Sequence, residues 1–227
     1  MTLHFENELV SLKENLLTMG GLAEKAVSSS IRALVERNDD LARKVEEDDA
    51  LLDQFEIQID DTAILLLSKA PLAADLRLIT VAMKISRDLE RVGDEATTIS
   101  RRSIELSKEP LLKAYVDIPR MMEIALGMMG DALDSFVNRN PAKARAVVPR
   151  DKEVDQLNKQ LHRELVGFMI ENPQTITRCL HLMVISKCLE RIADHATNIA
   201  EEVVYLHEAI DIRHTGNGKP QEGAAKT

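Results

Sequence analysis

Apolar residues recur along this chain with a helical beat. Ile85, Leu89, Val92, Ala96 and Ile99 step by 4, 3, 4 and 3. Ile185, Leu189, Ile192, Ala196 and Ile199 do the same, and the stripe runs on to Val203, Leu206 and Ile210. A period near 3.5 residues is the seam of a helix bundle. Earlier segments carry shorter stripes, Leu52, Phe55, Ile59 and Leu66, then Val154, Leu157, Leu161 and Phe168. The pattern predicts an all-α protein with no strands.

The breaks between stripes carry helix-start chemistry. They fall near Asn38-Asp39-Asp40 and Ala70-Pro71, and again at Asn140-Pro141 and Asn172-Pro173. Asn caps a helix N-terminus, and Pro fits its first turn because φ is already fixed there. Lys108-Glu109-Pro110 divides the chain in two. Six long helices follow, as two up-down-up bundles: 1–109, then 110–213. Residues 214–227, with Gly216, Gly218, Pro220 and Gly223, read as a disordered tail.

The two halves are copies. Residues 83–99 and 183–199 share ten of 17 positions at an offset of 100. Upstream the offset is 102, matching Asp53-Gln54 with Asp155-Gln156 and Arg37-Asn38 with Arg139-Asn140. Insertions collect in turns, so the two extra residues mark a helix–helix turn between Pro71 and Leu76. A repeat this long is a duplicated domain rather than a solenoid unit.

Composition narrows the class. Aromatic residues are 3% of the 227, with no Trp, while Leu, Ala, Met, Glu, Arg and Lys supply good helix formers. The net charge of −9 argues against a nucleic-acid partner, whose phosphates demand a basic face. It suits cation binding or a basic protein partner, and equally plain solubility. The opening Met1–Glu6 lacks the basic start and apolar core of a leader, and no apolar run approaches the roughly 20 residues of a membrane span. A cytoplasmic protein is expected, reaching a membrane only through partners. Cys179 and Cys188 stand nine residues apart, about 13 Å along one helix, too far for a disulfide. They are assigned to the core, as are Met121, Met122, Met128 and Met129.

Carboxylates are the candidate chemistry. Glu90 and Asp94 lie four apart, as do Asp49 and Asp53; the second copy repeats both as Glu190 with Asp194 and Asp151 with Asp155. Like charges at this spacing cost a helix about 0.2–0.5 kcal/mol per pair. Two adjacent helices would gather four carboxylates, and a cation with oxygen ligands would relieve the repulsion. Two plainer readings compete: an acidic face paired to Arg91 and Arg191, and simple inheritance through duplication. His195, matched by Glu95, is either an extra ligand or a surface histidine. No Glu-x-x-His exists, nor a phosphate-binding glycine loop, nor a nucleophile with an evident base. The chain is therefore not expected to be an enzyme; a metallohydrolase is the remote alternative.

The run Asp75-Leu76-Arg77, Asp88-Leu89-Glu90-Arg91-Val92-Gly93-Asp94 and then Leu189-Glu190-Arg191-Ile192-Ala193-Asp194-His195-Ala196-Thr197-Asn198-Ile199-Ala200-Glu201 resembles the PhoU family of phosphate-signalling regulators. So does the opening with Phe5, Glu8, Leu9, Met19-Gly20 and Leu22. The resemblance covers residues 3 to about 212. It implies two pseudo-symmetric three-helix bundles and a homodimer. It also implies multinuclear surface sites for iron or zinc, with magnesium or manganese as further candidates. Their ligands would be Asp49, Asp53, Glu90 and Asp94, and Asp151, Asp155, Glu190 and Asp194. Asp75 departs from the symmetry, since Thr175 aligns with it. The implied role is a go-between that represses phosphate uptake genes, linking the ATPase subunit of the phosphate ABC transporter to a sensor histidine kinase. A metal-buffering bundle without a signalling partner is the runner-up.

Overall fold

The structure is a computed structural model, and it describes residues 2–69 and 72–213, with side chains from Phe5 onward. The helices are α1 (Thr2–Glu36), α2 (Asp39–Asp48), α3 (Ala50–Leu67), α4 (Ala73–Ser107), α5 (Asp117–Val137), α6 (Pro141–Val147), α7 (Asp151–Glu171) and α8 (Ile176–Glu208). Short 3₁₀ turns, Val148–Arg150 and Pro173–Thr175, precede α7 and α8. Among the described residues there is no strand. The expected tail and the Ala70-Pro71 break lie outside the described residues.

These segments form six rods, because α2–α3 and α6–α7 are each one interrupted helix. The first interruption is at Asp49, where the Leu52 amide closes a tight turn on the Asp49 carbonyl at 2.9 Å. The second is the Val148–Arg150 turn, where Pro149 removes a backbone donor. Sequence reading expected unbroken second helices. Both breaks fall at the first carboxylate of each four-spaced pair.

The caps are the predicted ones. Asn38 Oδ1 accepts from the Leu41 amide and Asn140 Oδ1 from the Lys143 amide, each at 3.0 Å. The preceding residues, Arg37 and Arg139, both adopt left-handed backbone, with φ of 53° and 51°. The duplication thus extends to a backbone detail that residue types alone do not reveal.

The two units share one hydrophobic core. Its seam residues Ile85, Leu89, Val92, Ala96 and Ile99 are wholly buried, as are Ile185, Leu189, Ile192, Ala196, Ile199 and Val203. Met121, Met128 and Met129 fill the same core, and both cysteines are buried and free. The stripe stops before Ile210, which is exposed: Ala209 turns left-handed and ends α8. Within each unit the third rod packs on the other two, α4 on α1, α2 and α3, and α8 on α5, α6 and α7.

The units join through α4 and α8, the most extensive helix pair in the molecule. They run antiparallel. Contacts pair Arg77 with Leu206, Lys84 with Glu202, Asp88 with His195, and Glu95 with Arg191. Partner numbers fall on one helix as they rise on the other, so the crossing centres near residues 92 and 192. This is the expected pseudo-twofold relation.

Candidate functional site: two carboxylate clusters

The third rod of each unit carries a Glu and an Asp one helical turn apart, beside the interruption of the second rod. Close approach is built into the first unit by Gly93. A Cβ added there would lie 2.4 Å from Leu52 Cδ1 and 3.1 Å from Asp49 Oδ1. The second unit accommodates Ala193 at the same place.

Within each predicted set of four the carboxylates influence one another electrostatically. In the first unit the Asp49 carboxyl is raised above the usual range by burial, then by Asp53 and Asp94. The neighbouring Thr97 hydroxyl and Arg101 oppose that shift. Glu90 is likewise raised, by burial, then Asp94, with Arg91 opposing and Glu56 and Asp53 adding. Glu56 is therefore a fifth acid at this cluster that repeat matching could not find, because its counterpart is Asn158. In the second unit burial raises Asp151, followed by Asp155 and Glu190. Asp194 is pushed up to about 6, by burial, then Asp151 and Glu190.

The counter-ions differ. Arg91 grips both members of its pair, with Nε 3.3 Å from Glu90 Oε2 and Nη1 2.9 Å from Asp94 Oδ2. Arg191, its copy, instead reaches across the crossing to Glu95 Oε1 at 3.1 Å. In the second unit lysines stand at the edge, Lys187 on Glu190 and Lys159 on Asp155 at 3.4 Å. So the paired-arginine reading holds for Arg91 and fails for Arg191.

His195 belongs to neither cluster. Its Nδ1 lies 2.8 Å from Asp88 Oδ1 across the α4–α8 crossing, which makes it an inter-unit contact. Thr175, at the Asp75 position, closes the turn before α8: its hydroxyl donates to the Asn172 carbonyl at 2.7 Å.

At the second cluster Asp151 Oδ1 and the Thr197 hydroxyl are buried without a hydrogen-bond partner. Such atoms are rare in folded proteins and call for a physical reason. The donor set is all oxygen, which suits a hard cation. Among the described residues, however, no group of three or more acid, His or Cys side chains converges on one ion position. A cation at the first cluster would compete with Arg91, which holds Glu90 and Asp94.

The architecture defines a class: a duplicated three-helix protein with matched acidic faces. Among the described residues no helix is long and apolar enough to cross a membrane. A family model for the PhoU domain matches it twice, over residues 16–103 and 118–203. The chain is 42% identical over 214 residues to a "phosphate-specific transport system accessory protein PhoU homolog" of Pseudomonas putida, covering 93% of this chain and 84% of that one. It is 33% identical to the PhoU accessory protein of Escherichia coli strain K12, covering 93% and 88%. The crystal structure of PhoU from Pseudomonas aeruginosa superposes with a TM-score of 0.88 at 40% identity, covering 91% of this chain and all of that one. The phosphate transport system regulatory protein PhoU from Streptococcus pneumoniae gives 0.86 at 28% identity, covering 92% and 99%. The chain belongs to the PhoU family.

Proposed function

We propose that this protein is a cytoplasmic, non-enzymatic regulator of phosphate uptake that represses the phosphate-starvation response when phosphate is plentiful. The observation that carries this is the match of both units, over nearly the whole chain, to relatives named for phosphate-specific transport. It acts by binding. A homodimer engages the ATPase subunit of the phosphate ABC transporter and a sensor histidine kinase, and favours the kinase's inactive state. A binding protein shifts a two-state kinase only through its differential affinity for the two states. A tenfold shift needs about 1.4 kcal/mol of that difference, which a modest interface supplies.

The carboxylate clusters bind metal ions in this reading: Asp49, Asp53, Glu90 and Asp94 hold one, Asp151, Asp155, Glu190 and Asp194 the other. A bound cation would neutralise the clustered charge and tie the second rod of each unit to the third. With His195 turned to Asp88, the all-oxygen set favours ferric iron, magnesium or manganese over zinc. The buried, partnerless Asp151 Oδ1 also favours a second reading, a metal-buffering bundle with no signalling partner.

The test is alkaline phosphatase activity in phosphate-rich medium, with and without the gene, in cells that retain the sensor kinase. Deletion should switch the phosphatase on. Equal activity in the two strains rejects the regulatory role and leaves metal buffering as the better account.

A further inference from the structure

The two units also differ where the first rod meets the second. In the second unit that place is closed by an ion network. Arg150 Nη1 lies 2.6 Å from Asp131 Oδ2, and Lys143 Nζ lies 3.1 Å from Asp131 Oδ1 and 2.6 Å from Asp134 Oδ2. The Arg150 guanidinium lies so close over Gly127 that an added Cβ would meet Nη2 at 2.9 Å. At the offset of 102, the copies of Gly127, Asp131, Asp134, Lys143 and Arg150 are Lys25, Ser29, Arg32, Leu41 and Asp48. These five form no such network. Instead they line a partly enclosed cavity of about 240 Å³, whose apolar wall is Leu22, Ala26, Leu41, Val45 and Leu52. Residue 26 carries part of the difference, since its copy, the larger Met128, is wholly buried.

The charges around the cavity do not answer one another. Lys44 holds Asp48 on its own helix at 3.5 Å. Asp49 is engaged with the first carboxylate cluster, where Asp53 and Asp94 act on it. Lys25 and Arg32 stand seven residues apart on α1 and so share a face. Neither is in an ion pair or makes a side-chain hydrogen bond among the described residues. Ser29, between them, adds a hydroxyl. Asp131 and Asp134, the acids that tie α5 to the cations of the second unit, are replaced here by Ser29 and Arg32. What the first unit lacks at this place is an anion.

We propose that this cavity binds a small organic anion, a compact apolar body carrying one carboxylate or phosphate group. The apolar wall takes the body, and Lys25, Ser29 and Arg32 donate hydrogen bonds to the charged group. The volume limits the ligand to roughly ten non-hydrogen atoms, by proportion with benzene in a cavity of about 150 Å³. Bound there, the anion takes the place of the acid that the second unit supplies from its own chain. Asp49 also lines the cavity, so the ligand meets the residue at which the second rod is interrupted. The proposal rests on neither the regulatory nor the metal reading.

NMR titration of the full chain, followed on its backbone amides, tests it. The probe is phenylbutyrate, against phenylbutanamide as its uncharged isostere. The carboxylate should bind saturably at about millimolar concentration. The amide should bind at least about tenfold more weakly. The shifts should concentrate in residues 22–32 and 41–52. Arg32→Gln should weaken binding about fivefold. Because Arg32 is exposed and unpaired, the fold should survive that change. Ala26→Met places the second unit's residue in the cavity and should abolish binding. Lys152→Gln, at an exposed cation on α7, should leave binding unaltered. Equal affinities for carboxylate and amide, shifts spread evenly over the chain, or unaltered binding by either cavity variant would overturn the proposal. So would tighter binding of a capped Leu-Glu dipeptide than of phenylbutyrate, which would assign the cavity to side chains of a protein partner.

Discussion

The two carboxylate clusters occupy equivalent places, yet an arginine grips two acids in the first and is drawn off to Glu95 in the second. The difference teaches how a duplicated fold diverges. Seam, caps and acids are retained, while the counter-ions around the acids are rearranged.

The largest effects should expose what the copies share. Leu89→Ala and Leu189→Ala each remove a wholly buried seam side chain and should cost about 3 kcal/mol, within the usual range for such cavities. Chemical denaturation should give similar losses. A loss confined to one variant would break the equivalence of the two units.

Next comes the contact between second and third rods. Gly93→Ala drives a methyl group into Leu52 and should cost about 1–3 kcal/mol. Ala193→Gly makes no clash and should cost about 1–2 kcal/mol, through helix propensity and the loss of a buried methyl group. Equal costs in the same denaturation experiment would mean that Gly93 is not a packing requirement.

The third contrast is in pH. Asp194 has a folded pKa near 6, above its ordinary value of 3.8. The folded state therefore holds more protons than the unfolded chain between those values, and stability falls as pH rises through them. Asp194→Asn should remove that slope and stabilise the protein at pH 7 by about 1 kcal/mol once solvent screening of the exposed carboxylate is counted. Asp94→Asn loses an ion pair with Arg91 and should bring no gain. Thermal melts between pH 4 and pH 7.5 would show the difference.

The smallest effect on the fold accompanies the sharpest test of metal binding. Replacing Glu90 with Gln and Asp94 with Asn should change stability by less than about 1 kcal/mol, and replacing Glu190 and Asp194 likewise should add little to the gain expected of Asp194→Asn. Each double variant should nevertheless lower bound metal, and the eightfold variant should abolish it. Elemental analysis after loading with ferric iron or manganese would settle the matter, and equal content in wild type and the eightfold variant would reject these ligands.

Much of this architecture was legible because helix bundles write themselves in a periodic code. The spacing of Ile85 through Ile99 marks a buried seam, and Asn140-Pro141 marks a helix start, whatever the distant contacts are. The internal repeat then supplied a control, since each inference could be checked against its copy. The destinations of long side chains were not legible. Arg91 and Arg191 sit in identical local contexts, Leu-Glu-Arg, and only the cross-helix neighbour Glu95 sends one of them elsewhere. His195 was undecidable for the same reason, because Asp88 reaches it from the other unit. Glu56 escaped because its copy is Asn158 and a symmetry argument looks only for matches. The interruption at Asp49 left no glycine or proline to betray it.

The antiparallel pairing of α4 with α8 also bears on how the chain acquires its structure. Each unit can collapse from neighbours in sequence, a fast and local process. Joining the units is different in kind, because the matched positions lie 96 to 129 residues apart. At high protein concentration during refolding, an α4 surface left open meets the α8 of another molecule as readily as its own, with residues 108–116 serving as the hinge. Refolding yield should therefore fall with concentration, and the by-product should be an exchanged dimer whose every local contact is native.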